Sequence, residues 1–351
     1  MTHATQRRAL VTGAGGFIGH HLVNRLKADG FWVRGVDLKR PEFEPSRADE
    51  FLIADLREFE NCRRATAGVE DVYQLAADMG GIGYITAVHA TLSRNNILIN
   101  SHMLEAARLA GVRRYLYTSS ACVYPANLQR DANITPLRED EAIPAEPEKG
   151  YGWEKLFAEQ LTTYFGEEHG LDVRIVRFHN IYGPLGTYEG GREKAPAAIS
   201  VKVASAEDGT SIPIWGDGRQ TRSFCYIDDA VEGLCRVMDS EVTRPLNVGS
   251  TELVTVDELA DLICQAAGKH LEKSYELNRP QGVRGRNSDN TLIRSLLDWE
   301  PSVPLREGLP RTYRWIWNQL QKTGRARPPA PLERPSVTAP LYPSSAKTAA
   351  Y

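Results

Sequence analysis

The run Arg8-Ala-Leu-Val-Thr12, followed at once by Gly13-Ala-Gly-Gly16-Phe-Ile-Gly19, restricts this chain more than any other segment. A short apolar, β-rich stretch reads as a strand, and the glycines as a turn. Leu22, Val23 and Leu26 then recur with helical period. Strand, glycine turn and helix in that order offer backbone N–H groups and a helix dipole to an anion, which suits a pyrophosphate. Gly13, Gly16, Phe17, Ile18 and Gly19 are the expected contacts. The spacing is G-x-x-G-x-x-G, not the commoner G-x-G-x-x-G.

Phe31-Trp-Val-Arg-Gly-Val36 reads as a second strand and ends in Asp37. An acid there accepts both hydroxyls of a ribose and repels a 2′-phosphate, which favours NAD over NADP. Lys39 and Arg40 lie close by. A third strand over Glu50–Ala54 leads to Asp55 and Leu56, placed to touch an adenine. A fourth over Asp71–Leu75 leads to Ala76. Residues 94–110 read as a long helix, Arg113–Thr118 as a fifth strand and Asp172–Phe178 as a sixth. Strands alternating with helices predict a Rossmann-like, doubly wound parallel sheet over residues 1–178. Beyond 179 the pattern turns irregular and rich in glycine and proline. We expect a smaller C-terminal α/β substrate lobe over 179–323, partly interleaved with the first. Residues 324–351 hold six prolines among Ser, Thr and Ala, and are expected to be a disordered tail.

Composition narrows the class. A net charge of −3 gives no electrostatic case for nucleic acid or a membrane surface. No apolar run is long enough to span a bilayer, and the first residues have no apolar core of a signal peptide. The five cysteines are odd in number and lack C-x-x-C spacing, as expected of reduced thiols in a cytoplasmic protein. The eight histidines show no metal-ligand spacing, so no metal is expected.

The chemistry sits further along. Tyr151-Gly-Trp-Glu-Lys155 puts a phenol and an ammonium one helical turn apart on one face. A nearby cation favours phenolate and should lower the tyrosine pKa. Such a tyrosine can take a proton from a sugar hydroxyl while hydride leaves the same carbon. Ser119-Ser120-Ala121-Cys122 follows the fifth strand, at the carboxyl edge where sites in open α/β sheets collect.

Together these motifs resemble the extended short-chain dehydrogenase/reductases that act on nucleotide sugars. Leu75-Ala-Ala-Asp-Met-Gly80-Gly81, Ser119–Pro125, Arg177–Pro184, Gly190-Gly-Arg-Glu-Lys194-Ala-Pro-Ala-Ala198, Trp215–Phe224 and Gly282–Asn290 narrow the resemblance to the GDP-mannose 3,5-epimerases. It covers roughly residues 8–321. The resemblance implies bound NAD, GDP-mannose as substrate, a C2 homodimer and no nucleic-acid or membrane partner. It implies Ser120, Tyr151 and Lys155 at the C4 oxygen, with Cys122 and Lys194 as an acid/base pair: Cys122 mainly removing the proton and Lys194 mainly returning one. It further implies Gly80, Gly81, Asn180, Arg222, Arg284 and Arg286 at the substrate. Arg284 and Arg286 alternate along an extended chain, so only one should face the ligand. The readings left open are another nucleotide-sugar 4-epimerase, a 4,6-dehydratase and a non-catalytic NAD-binding protein. Dehydratases usually carry an acidic pair where Ala121-Cys122 stands.

Overall fold

Six short strands, all but the third with buried centres, assemble into one sheet because each is followed by a segment long enough to cross over and lay the next strand parallel. They are β1 (Arg8–Thr12), β2 (Trp32–Asp37), β3 (Glu50–Ile53), β4 (Asp71–Gln74), β5 (Arg114–Ser120) and β6 (Asp172–Phe178). The computed structural model describes residues 6–330. A seventh strand, Leu246–Val248, pairs parallel with β6 and completes the sheet. The spatial order is Leu246–Val248, β6, β5, β4, β1, β2, β3, and every pairing is parallel.

Side chains alternate across the sheet. Ala9 and Val11 face one core with Leu22, Val23 and Leu26 of helix α1 (Phe17–Ala28). Leu10 faces the other with Met103, Leu104, Tyr115 and Tyr117. The order reverses between β1 and β4, so the carboxyl ends of those two strands frame a crevice. Thr12 seals its floor: its hydroxyl accepts from the Leu75 and Ala76 amides, both at 2.9 Å.

The long helix begins earlier than its sequence pattern suggests, at Ala90, and runs to Leu109. Its inward face carries the buried amides Asn95, Asn96 and Asn100, which apolar periodicity does not register. Later segments add a three-stranded sheet of Leu253–Thr255, Thr221–Ser223 and Gly285–Arg286, and the helix Ala195–Ser205. Ile199 of that helix, with Leu259 of the helix Val256–Ala267 and Leu309 of the helix Leu305–Lys322, joins the core that holds α1. Of the tail expected at 324–351, residues 324–330 run back along the body: the Arg327 amide donates to the Ala204 carbonyl at 2.8 Å and the Ala330 amide to Asp208. Residues 331–351 lie outside the described part.

Candidate active site

The crevice at the sheet's switch point opens into a cavity of about 910 Å³. Its inner end is the glycine turn. Gly16 starts α1 with no side-chain cap and no acid in the first turn, so the helix's terminal amides are left to a ligand. A Cβ at Gly19 would stand 2.2 Å from the Gly13 carbonyl oxygen, so only glycine permits this approach. Gly13, Gly16, Phe17, Ile18, Gly19, Asp37, Asp55, Leu56 and Ala76 all line the cavity. An uncapped helix start, a side-chain-free turn and an acid at the end of β2 fit the pyrophosphate and ribose of a dinucleotide. The Asp37 carboxylate already accepts from the Gly15 amide at 3.0 Å and the Lys39 amide at 3.2 Å; burial nonetheless pushes its carboxyl above the usual range. Asp55 is tied to Arg57, which holds it low.

The next group stands at the end of β5 and the start of the helix Tyr151–His169. Ser120 accepts from the Cys122 amide at 3.2 Å and caps the short turn Ala121–Val123. The Lys155 ammonium donates to the Thr118 carbonyl at 3.0 Å and lies 5.7 Å from the centre of the Tyr151 ring. One expectation is corrected here. Burial drives the Tyr151 phenol well above its ordinary value, with Cys122 and Glu154 adding to the rise, and Ser120 only partly opposes it. Lys155, itself lowered by burial, bonds the backbone rather than the phenol.

Cys122 and Lys194 open into the same cavity. Burial, then Glu148, raises the Cys122 thiol. Burial lowers the Lys194 ammonium. Burial thus disfavours the charged form of both groups. Lys194 stands just ahead of the helix Ala195–Ser205, on a segment laid against Gly80-Gly81. The Gly81 amide donates to the Arg192 carbonyl at 2.9 Å, and a Cβ at Gly81 would come within 2.2 Å of the Glu193 carbonyl oxygen. Arg192 stacks on Tyr84 at 3.8 Å and donates to Asp78. Asp78 in turn reaches Asn96, whose amide donates to Glu154 at 2.7 Å.

The arginines divide. Arg222 lines the cavity and donates to the Thr221, Gln281 and Val283 carbonyls with no carboxylate partner among the described residues. Burial, with Arg286 nearby, lowers it to about 10. A half-buried cation without a counter-charge among the described residues is a ready site for an anion. Arg286 also faces the cavity. Arg284 does not: it forms a two-pronged pair with Asp217, at 2.8 and 3.0 Å, on the far side of the strand. Alternation along the extended chain explains the split and removes Arg284 from the ligand-facing set. Asn180, at a left-handed φ of 48°, donates to the Ser223 carbonyl at 2.9 Å and borders the cavity.

Residues 9–249 match the model of the NAD dependent epimerase/dehydratase family. The chain belongs to that family. Within it, the chain is 47% identical over 317 residues to GDP-mannose 3,5-epimerase 1 of Oryza sativa subsp. japonica, covering 90% of this chain and 83% of the relative. It is 47% identical over 314 residues to GDP-mannose 3,5-epimerase of Arabidopsis thaliana, covering 89% and 82%. Among solved structures, UDP-glucose 4-epimerase of Thermotoga maritima with UDP-glucose superimposes with a TM-score of 0.81 at 28% identity, over 89% of this chain and 99% of that one. An NAD-dependent family with a Rossmann-like sheet accounts for the glycine cradle and for Asp37.

Sequence reasoning passed over Glu148, Gln129, Asp78 and Arg192. Glu148 stands in a loop and Gln129 at the end of a short 3-10 turn, neither with periodicity, and only the fold brings them to a residue more than a hundred positions away. Asp78 and Arg192 lay within quoted motifs, but nothing in either motif reveals that they pair.

Proposed function

We propose that this chain is a GDP-mannose 3,5-epimerase, inverting C3 and C5 of the mannosyl ring to give GDP-L-galactose, with GDP-L-gulose from inversion at C5 alone. The single observation that carries the reading is a cavity shared by the NAD cradle, by Tyr151 and Ser120, and by both Cys122 and Lys194. A simple 4-epimerase needs only the first two sets.

NAD is held by the glycine turn, Asp37, Asp55, Leu56 and Ala76, and when bound it supplies reversible hydride chemistry at the sugar C4. Ser120 holds the C4 oxygen, and Tyr151 takes and returns its proton. Lys155 keeps positive charge beside the ring while that proton moves. With C4 at the ketone level, the hydrogens on C3 and C5 become acidic, because each enolate spreads onto the carbonyl. Inversion takes a proton from one face and delivers one to the other, so two groups must flank the ring. Cys122 at the β5 edge and Lys194 before the helix Ala195–Ser205 are that pair. Arg222 and Arg286 bind the diphosphate, with Gly80, Gly81 and Asn180 closing around the sugar. The described residues up to 178 form the nucleotide domain, whose sheet Leu246–Val248 completes, and 179–323 are mainly the substrate lobe. The protein works in the cytoplasm as a homodimer.

The test is incubation of the purified protein with GDP-mannose in D2O, followed by NMR of the sugar. Deuterium at both C3 and C5, with L-galactosyl product, is expected. Label at neither carbon, or inversion at C4 alone, would refute the assignment.

A further inference from the structure

Arg286 is shared between two groups that compete for it. Its Nη1 donates to the Cys122 sulfur at 3.4 Å, and its Nη2 donates to the Glu148 carboxylate. A third anchor fixes it: Nε donates to Gln129 Oε1 at 2.6 Å, while the Gln129 amide holds the Tyr124 and Pro125 carbonyls. Arg286 is therefore held in place even without Glu148. The Glu148 amide also donates to the Cys122 carbonyl at 3.1 Å, so carboxylate and thiol belong to one built unit.

We propose that Glu148 is a positioning residue that keeps Cys122 protonated in the resting site, by occupying the guanidinium that would otherwise stabilise the thiolate. The inference rests on reading Cys122 as one of the two proton-transfer groups. Other groups also bear on the sulfur. Ser120 approaches from the β5 edge, Tyr151 and Lys155 from the catalytic helix, Lys194 from its own segment, and Arg222 lies beside Arg286. Glu148 is the charged side chain that raises the thiol, and Arg286 opposes it through both its charge and its hydrogen bond. Burial works against the Arg286 charge, and Glu148 and Cys122 more than restore it.

The thiol can be read directly. Iodoacetamide modification of Cys122 is followed by peptide mass spectrometry across the neutral and alkaline range, using the full chain with its NAD. All five cysteines are buried, but only Cys122 lines the cavity, so the other four serve as internal references. Glu148→Gln keeps an acceptor for Nη2 and removes the charge. It should be alkylated about tenfold faster than wild type below the thiol's midpoint, since one pKa unit is about tenfold in thiolate. Glu148→Asp, which keeps the charge, should stay close to wild type. If Glu148 merely anchored Arg286, its loss would loosen the cation and slow alkylation, so an equal or slower rate in Glu148→Gln overturns the proposal. Should that variant fail to fold by circular dichroism, Glu148→Ser removes the same charge and is read with the same sign. The readout needs no sugar. Faster alkylation without GDP-mannose turnover would sink the epimerase reading and leave this one standing; unchanged alkylation with full turnover would do the reverse.

Discussion

At the scale of single residues, the site is governed by burial. Tyr151 is 6% exposed and Lys155 3%. At such depth the cost of charging a side chain outweighs an ion one helical turn away, which is why the phenol rises where sequence spacing suggests it should fall. Tyr151→Phe removes one hydroxyl and no packing. Turnover should drop more than about a thousandfold, in the range of a lost general acid/base, while calorimetry still finds NAD bound. Turnover within about tenfold of wild type, ~1.4 kcal/mol in the barrier, would reject the tyrosine as the C4 acid/base. Glu154, its neighbour, is 2% exposed; burial raises it from 4.5 to about 7, against the pull of Lys155 and Asn96. The folded state then holds a proton that the unfolded state has released across that interval. Stability from this group is complete below the unfolded value and is lost as pH climbs through the folded one, by on the order of 3 kcal/mol. Glu154→Gln should therefore gain on wild type as pH rises through this window in denaturant titrations. A difference that stays constant with pH would show that Glu154 is ionised in the folded protein.

At the scale of elements, legibility follows locality. The strands β1 to β6 announce themselves because each is a short stretch rich in apolar and β-branched or aromatic residues. The first and sixth match their expected limits, and the others shift by a residue or two. Leu246–Val248 has three residues and no local signature; it is a strand only because β6 offers an open edge. Site residues divide the same way. The glycine turn, Ser120 and Tyr151 to Lys155 are local motifs, and the structure gathers them around one cavity. The relay from Glu154 through Asn96 and Asp78 to Arg192 joins four distant segments, and no spacing rule foretells it. That relay ends on the segment bearing Lys194, which meets Gly81 with no room for a methyl group. Gly81→Ala should part the two backbones and cut turnover at least tenfold, about 1.4 kcal/mol, with NAD affinity unchanged. Wild-type turnover in that variant would mean the contact does not place Lys194.

For the molecule as a whole, two helices leave apolar side chains uncovered. Trp153, Phe157 and Tyr164 on Tyr151–His169 are about half exposed, and Ile97 on Ala90–Leu109 is 38% exposed. Leu109, at the end of Ala90–Leu109, is also exposed, whereas Leu104 and Leu156 pack inward. Two such faces brought together about a twofold axis would form a four-helix interface. Light scattering at micromolar concentration should give twice the chain mass; a monomer there would contradict it. No helix of the described residues is long and apolar enough to cross a membrane.

The turn of helix that begins at Tyr151 has two audiences. Its inner side presents Tyr151, Glu154 and Lys155, and its outer side Trp153 and Phe157, within seven consecutive positions. A second copy seated on the outer side would brace the same turn whose inner side handles the sugar's proton. Dilution would then slacken chemistry before it loosened the fold, and the rate per molecule would report how many neighbours each molecule has.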